Sequence, residues 1–244
     1  MANSANRSGK TLVAVTGSLI FCLAAVAEAQ RMSVPTAKIR YTTNVSAIGD
    51  LDNREWKRAD EVTVATYWNG EVAPQGRMAK VRMLWSASDL SVRFEASQSE
   101  PLVVNEKPQT GEKTMQLWDR DVVEIFLAPD AKHPRKYFEF EVAPTGEWID
   151  IAIDFTGPKR ESNWDYSSQM TSAARIDKNA VVTLMRIPWT AFGTTPKAGD
   201  VWLGNLLRCV GEDPTRGYLA WSPTMTEQPN FHVPEKFGRF EFTK

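Results

Sequence analysis

Residues Gln116 to Asp130 read Q-L-W-D-R-D-V-V-E-I-F-L-A-P-D. The centre, Val122 to Leu127, is β-branched or large and apolar except for Glu124. Such a run predicts a strand buried on both faces. A carboxylate inside it needs partners, because an unpaired buried charge is strongly unfavourable. Just before the run, Trp118 stands among Asp119, Arg120 and Asp121, which puts a large flat ring at a polar strand end. Side chains alternate along a strand, so Trp118 and Glu124 share a side if the strand is regular. An aromatic platform one step from an inward carboxylate is suited to a ligand. The alternative is a core strand with a salt-bridged Glu and a packing Trp.

Working outward, Pro129 to Pro134 is a turn, and Lys136 to Val142 sets Phe138, Phe140 and Val142 against Glu139 and Glu141. Pro144-Thr145-Gly146 turns the chain and Glu147 to Phe155 returns, so 121–155 is a meander of three antiparallel strands. Upstream, Val62 to Tyr67 is a strand, and Lys80 to Trp85 with Leu90 to Ala96 form a hairpin. Downstream, Ser168 to Ile176 pairs with Ala180 to Ile187, and Val201 to Val210, Tyr218 to Ser222 and Phe237 to Phe242 follow. Residues 30–45 read as a polar lead-in. The polar loop 97–115 is long enough to imply work of its own, and the loop 156–167 carries the exposed-looking pair Trp164 and Tyr166. Many short strands, turn residues between them and no long helix predict an all-β, antiparallel β-sandwich of the jelly-roll type with very short helical turns.

The 244 residues are 42% hydrophobic and carry a net charge of −1, enough for a core and without the basic excess of a nucleic-acid or anionic-membrane partner. Arg7 and Lys10, the apolar Thr11 to Val26, and Ala27-Glu28-Ala29 have the order of a signal peptide. Residues 1–29 are therefore expected to be removed after Ala29, leaving 30–244 as one secreted or periplasmic domain with no membrane span. Cys22 follows Phe21 rather than a small residue, which argues against a lipoprotein. Cys209 is then the one remaining cysteine and reads as a small buried apolar residue. With only His133 and His232 beside it, zinc is not expected.

Several stretches in order resemble the family nine carbohydrate-binding modules of the DOMON-like β-sandwich superfamily. They are Gly49-Asp50-Leu51 with Glu55-Trp56, Val81 to Trp85, Leu117 to Phe126, Ala220-Trp221-Ser222-Pro223, and Phe231 to Gly238. The resemblance implies a non-catalytic module that grips a sugar, or a polysaccharide end, between two aromatic rings and supports xylan- or cellulose-type catabolism. Trp118 maps to the first ring, Phe231 to the second, Glu124 to the hydroxyl acceptor and Gln228 to a polar amide, with His232 beside the slot. The family pattern has a hydroxyl-binding arginine where this chain has Glu141, and Arg208 is one candidate to supply the guanidinium instead. No cofactor is required. Structural calcium is a further implication, with Asp50, Asp119 and Asp121 as ligand candidates, and the domain is expected to be a monomer. Carboxylates are abundant enough for glycoside hydrolysis, but a strand face of acids reads first as solvated or cation-paired. The wider superfamily also implies an alternative, haem bound by His232 with Met225 or Met115, and a purely structural envelope sandwich is a third reading.

Overall fold

In the computed structural model, which describes residues 34–244, Val122–Ala128 is a strand buried along its whole length. The export signal expected over 1–29, with its cleavage point, lies outside the described residues. Among the described residues, fourteen strands make up the fold. They are β1 (Thr36–Tyr41), β2 (Glu61–Val64), β3 (Thr66–Tyr67), β4 (Ala79–Trp85), β5 (Asp89–Ser97), β6 (Val122–Ala128) and β7 (Lys136–Val142). The remainder are β8 (Trp148–Asp154), β9 (Glu161–Asn163), β10 (Thr171–Ile176), β11 (Ala180–Pro188), β12 (Val201–Val210), β13 (Gly217–Ala220) and β14 (Gly238–Thr243). The helical segments among the described residues are short 3₁₀ turns.

Hydrogen bonding runs in the order β10-β11-β5-β4-β1-β14-β12-β6-β7-β8-β9, with β13 on β12 and β2 on β4. The meander β6-β7-β8 and the hairpins β4-β5 and β10-β11 pair antiparallel, as their alternation predicts. The exception is β1, which pairs parallel with both β14 and β4 and so joins the two halves of the sheet. Its segment, which reads as polar lead-in, turns Ala37, Ile39 and half-buried Tyr41 to the core and exposes Thr36, Lys38 and Arg40.

The sheet folds over on itself as a sandwich. Val123, Ile125 and Leu127 of β6 meet Val81, Phe94 and Met185 from the other half in the main core. Each such side chain contributes about 1.5–3 kcal/mol on burial. The opposite face of β6 carries Val122, Phe126 and Ala128 into a second apolar cluster with Ile151, Cys209 and Phe231. Close packing of β12 on β6 depends on Gly204, where a Cβ would lie 1.9 Å from the Phe126 carbonyl oxygen and 2.7 Å from the Phe240 ring. No helix of the described residues is long and apolar enough to cross a membrane.

Candidate functional site

A cavity of about 520 Å³ opens on this second face, above β6, β7, β8 and β12. Its walls come from loops. Leu117–Asp119 forms a 3₁₀ turn entered through Gln116 in the left-handed region at φ 58°, with Leu117 fully buried as its anchor. Arg216 fixes the turn by donating 2.7 Å hydrogen bonds to the carbonyls of Trp118 and Arg120. Trp118 is thereby presented half-exposed at the cavity wall, 6.0 Å from Trp164, which is 41% exposed. Trp118 and Glu124 both line the cavity, but Trp118 gets there from a turn rather than by strand parity. Phe231 lines the cavity too and packs its edge on Tyr218 at 6.2 Å.

The polar groups divide by depth. Asn230 lines the cavity and its Oδ1 accepts from the His232 backbone N–H at 3.0 Å. His232 stacks on Phe126 at 5.2 Å, and its Nδ1 is hydrogen-bonded to the Tyr137 hydroxyl at 2.8 Å. When the phenol donates, the ring proton sits on Nε2, which faces Glu139 Oε2 at 4.0 Å. Burial, with Arg160 behind it, pushes the imidazole well below its usual range, so the ring is neutral at pH 7.

The floor is acidic. Glu124 on β6 lies directly across from Glu141 on β7, and Glu139 is the next residue on that face. One carboxylate oxygen from each of the three falls within 4.8 Å of the others. Burial first, then the Glu139 charge, raises Glu124 to about 8, against a weak offset from the Cys209 thiol, which donates at 3.4 Å. Burial raises Glu139 as well, and it drives Glu141 well above the usual carboxylate range with the charges of Glu124 and Glu139 adding to it. Among the described residues no N–H or hydroxyl donor reaches either Glu141 oxygen; its one such contact is an acid–acid hydrogen bond to Glu139, which needs a proton on one of the two.

Trp118, Glu124, Phe231 and His232 are thus brought to one cavity. Three other residues of the sequence reading are placed differently. Gln228 is exposed and is not a lining residue; Asn230, two positions on, supplies the amide. Arg208 points through β12 to the opposite face, where Nη1 donates to the carbonyls of Arg77, Met78 and Ser97 and Nη2 to Gln98 Oε1. Glu141 is fully buried behind the cavity wall, and the Glu139–Glu141 face is not solvated. The calcium candidates do not assemble: Asp119 is exposed at the cavity, Asp50 is exposed and accepts from Asn53 Nδ2, and buried Asp121 accepts from the backbone N–H of Gly211 at 2.7 Å. Met225, the haem partner considered for His232, is 53% exposed and is not a lining residue; Met115 is at the cavity wall.

Several lining residues carry no strong signal in the sequence. Trp164 shows only as an exposed-looking ring, and its companion Tyr166 turns inward to Phe138 and donates to the Ala191 carbonyl at 2.9 Å. Arg160, Ser162 of β9 and Trp164 all fall in the stretch 156–167 that reads as a loop, and Met115 ends the long loop 97–115 with Gln116 directly after it.

The description "Carbohydrate family 9 binding domain-like" matches residues 49–244. No curated protein sequence matches the chain. Among solved structures, a Bacteroides uniformis ATCC 8492 protein provisionally described as carbohydrate-binding is similar with TM-score 0.69 and 17% identity, over 86% of this chain and 100% of that one. A carbohydrate binding module family 9 from Caldicellulosiruptor kristjanssonii in complex with cellotriose is similar with TM-score 0.62 and 13% identity, over 86% and 94%. A carbohydrate binding module family 9 from the same organism in complex with glucose gives TM-score 0.61 and 13% identity, over 86% and 96%. At these identities the structural likeness shows the fold.

Proposed function

We infer the function from one premise: the chain belongs to the carbohydrate family 9 binding domain-like family. We propose that it is a non-catalytic, exported, monomeric module that holds a sugar or the end of a polysaccharide in the cavity beside β6. A sugar has apolar C–H faces and hydroxyl edges, so its binder needs flat rings for the faces and fixed polar atoms for the edges. Trp118 and Phe231 would supply the rings, with Trp164 extending the platform. Glu124 would accept hydroxyl protons from the floor, and Asn230 would take the amide role at the rim. The observation that carries the reading is the meeting of Trp118, Glu124 and Phe231 in one cavity, although Phe231 is over a hundred residues away in sequence. An apolar slot with a few convergent polar groups is the usual form of a small-molecule site. The glucose and cellotriose complexes of Caldicellulosiruptor modules support β-glucan fragments as the first ligands to try.

Isothermal calorimetry with a panel of mono- and oligosaccharides tests this. Wild type is expected to bind at least one glycan, and Trp118→Ala to weaken it at least tenfold, the scale of losing one large buried ring at about 1.5–3 kcal/mol. Binding that survives the substitution would remove the site assignment, and silence across the panel would remove the function.

A further inference from the structure

Beneath the sugar slot, the floor chemistry differs from what a sugar alone requires. Glu124, Glu139 and Glu141 leave 2%, 4% and 0% of their surface exposed, yet Glu124 and Glu141 have no ion pair among the described residues. Glu139 has the neutral His232 at 4.0 Å, a carboxyl contact with Glu141 and a longer-range attraction to Arg160. Carboxylates this deep are ordinarily paired or bound to a cation. Glu141 is the sharpest case, because among the described residues no N–H or hydroxyl donor reaches either of its oxygens, its one such contact being an acid–acid bond to Glu139 inside the cluster itself.

We propose that Glu124, Glu139 and Glu141 form a binding site for a hard divalent cation of the size of calcium, set in the cavity floor. Three observations favour a bare ion over a positively charged ligand group. First, oxygen ligands within 4.8 Å of one another match the span across a calcium ion, whose oxygens lie at about 2.3–2.6 Å. Second, Glu141 is closed off from the cavity, so an ion can settle between the three groups where a ligand's ammonium would have to reach past Glu124 and Glu139. Third, burial disfavours the ionised form of all three carboxyls, so drawing off their protons takes more than one positive charge. Magnesium is the poorer match, because it demands a tighter octahedron at about 2.0–2.1 Å. Three protein oxygens leave most of calcium's positions open. Glu124 and Glu139 line the cavity, so those open positions would face it and could accept sugar hydroxyls. This last step rests on the sugar reading; the cation site itself does not.

The test separates the two. The protein is stripped with EDTA, dialysed and titrated with calcium chloride by calorimetry without any sugar present. Saturable binding near one ion per chain is expected. It should weaken at least tenfold in Glu141→Gln and in Glu139→Gln and remain unchanged in Gln228→Ala, with melting curves confirming that each variant is folded. Affinity should also fall as pH is lowered from 8 to 6, since the ligands must lose protons to bind metal. Absence of calcium binding, or binding indifferent to both Glu substitutions, overturns the site. So does a preference for glucosamine over glucose that Glu141→Gln abolishes in metal-free buffer, because an ammonium group would then occupy the place. Calcium binding with no response to any glycan upholds the cation site and defeats the sugar reading. Glycan affinity equal in calcium and in EDTA leaves the ion in place but overturns its role as a bridge to hydroxyls.

Discussion

Arg208 and Glu141 are both buried charge-bearing side chains on this half of the sandwich, on opposite faces of the sheet, and the molecule treats them in opposite ways. Arg208 on β12 faces the main core, where three backbone carbonyls and the Gln98 side chain accept from it. Burial still lowers it to about 10, so it stays charged at neutral pH. Glu141 on β7 faces the other way, and among the described residues no N–H or hydroxyl donor reaches its oxygens. A buried charge surrounded by the chain's own acceptors is part of the framework. One left without donors behind a cavity floor is a place kept for something else, and that is how the two faces of one sheet divide into scaffold and site.

The largest effect expected from breaking the framework side is Arg208→Met. It leaves the carbonyls of Arg77, Met78 and Ser97 without this donor, and removing one partner of a buried charged network costs about 3–5 kcal/mol. Chemical denaturation should show that loss, while the ligand affinity of the folded fraction is retained. Equal stability would mean that the two faces are not energetically distinct.

The site side should appear as pH dependence. Glu124 has its pKa raised in the fold from 4.5 to about 8, so the folded state keeps a proton that the unfolded chain releases. Stability from this group is therefore present below pH 4.5 and lost as pH rises toward 8. His232 acts with the other sign: its pKa falls from 6.5, so it costs stability only as pH drops below that value. Between pH 6.5 and 8 the carboxylates act alone, and in EDTA the unfolding free energy should fall by about 2 kcal/mol across that window. Glu124→Gln should flatten the slope. A flat wild-type profile would mean that the floor is better solvated than its burial indicates.

Smaller effects map the rim. Asn230→Ala should weaken glycan binding by about 1 kcal/mol, the scale of one hydrogen bond, with little change in melting temperature. Gln228→Ala, on an exposed residue off the cavity, should change both affinity and stability by less than about 0.5 kcal/mol. If the order of these two were reversed, the amide role would return to Gln228.

The strands were readable where one face is apolar and the other polar. β4, β5 and β7 show their alternation directly, and β6 shows its double burial as an unbroken apolar run. β1 alternates as well, Ala37, Ile39 and Tyr41 against Thr36, Lys38 and Arg40, but a small Ala and a half-buried Tyr leave Ile39 as its one strong apolar signal. At the site, Trp118, Glu124 and Phe231 were accessible through family resemblance. The depth of Glu139 and Glu141 was not. Alternation says that they share a face, but it cannot say that Trp164, His232 and their loops cover that face. Arg208 fails for a related reason, since its side of β12 is decided by registry with β6, where it pairs with Val123 rather than Glu124. The slip from Gln228 to Asn230 belongs to a loop, where no periodicity fixes position.

A crystal structure of the protein with cellotriose and calcium is the most direct check on where the ligand goes. The account predicts a terminal sugar ring between Trp118 and Phe231, with hydroxyl oxygens directed at Glu124 and the ion among Glu124, Glu139 and Glu141. Sugar density elsewhere, for instance in the surface groove bounded by Lys136, Asp154 and Asn163, with the cavity beside β6 left free, would contradict it.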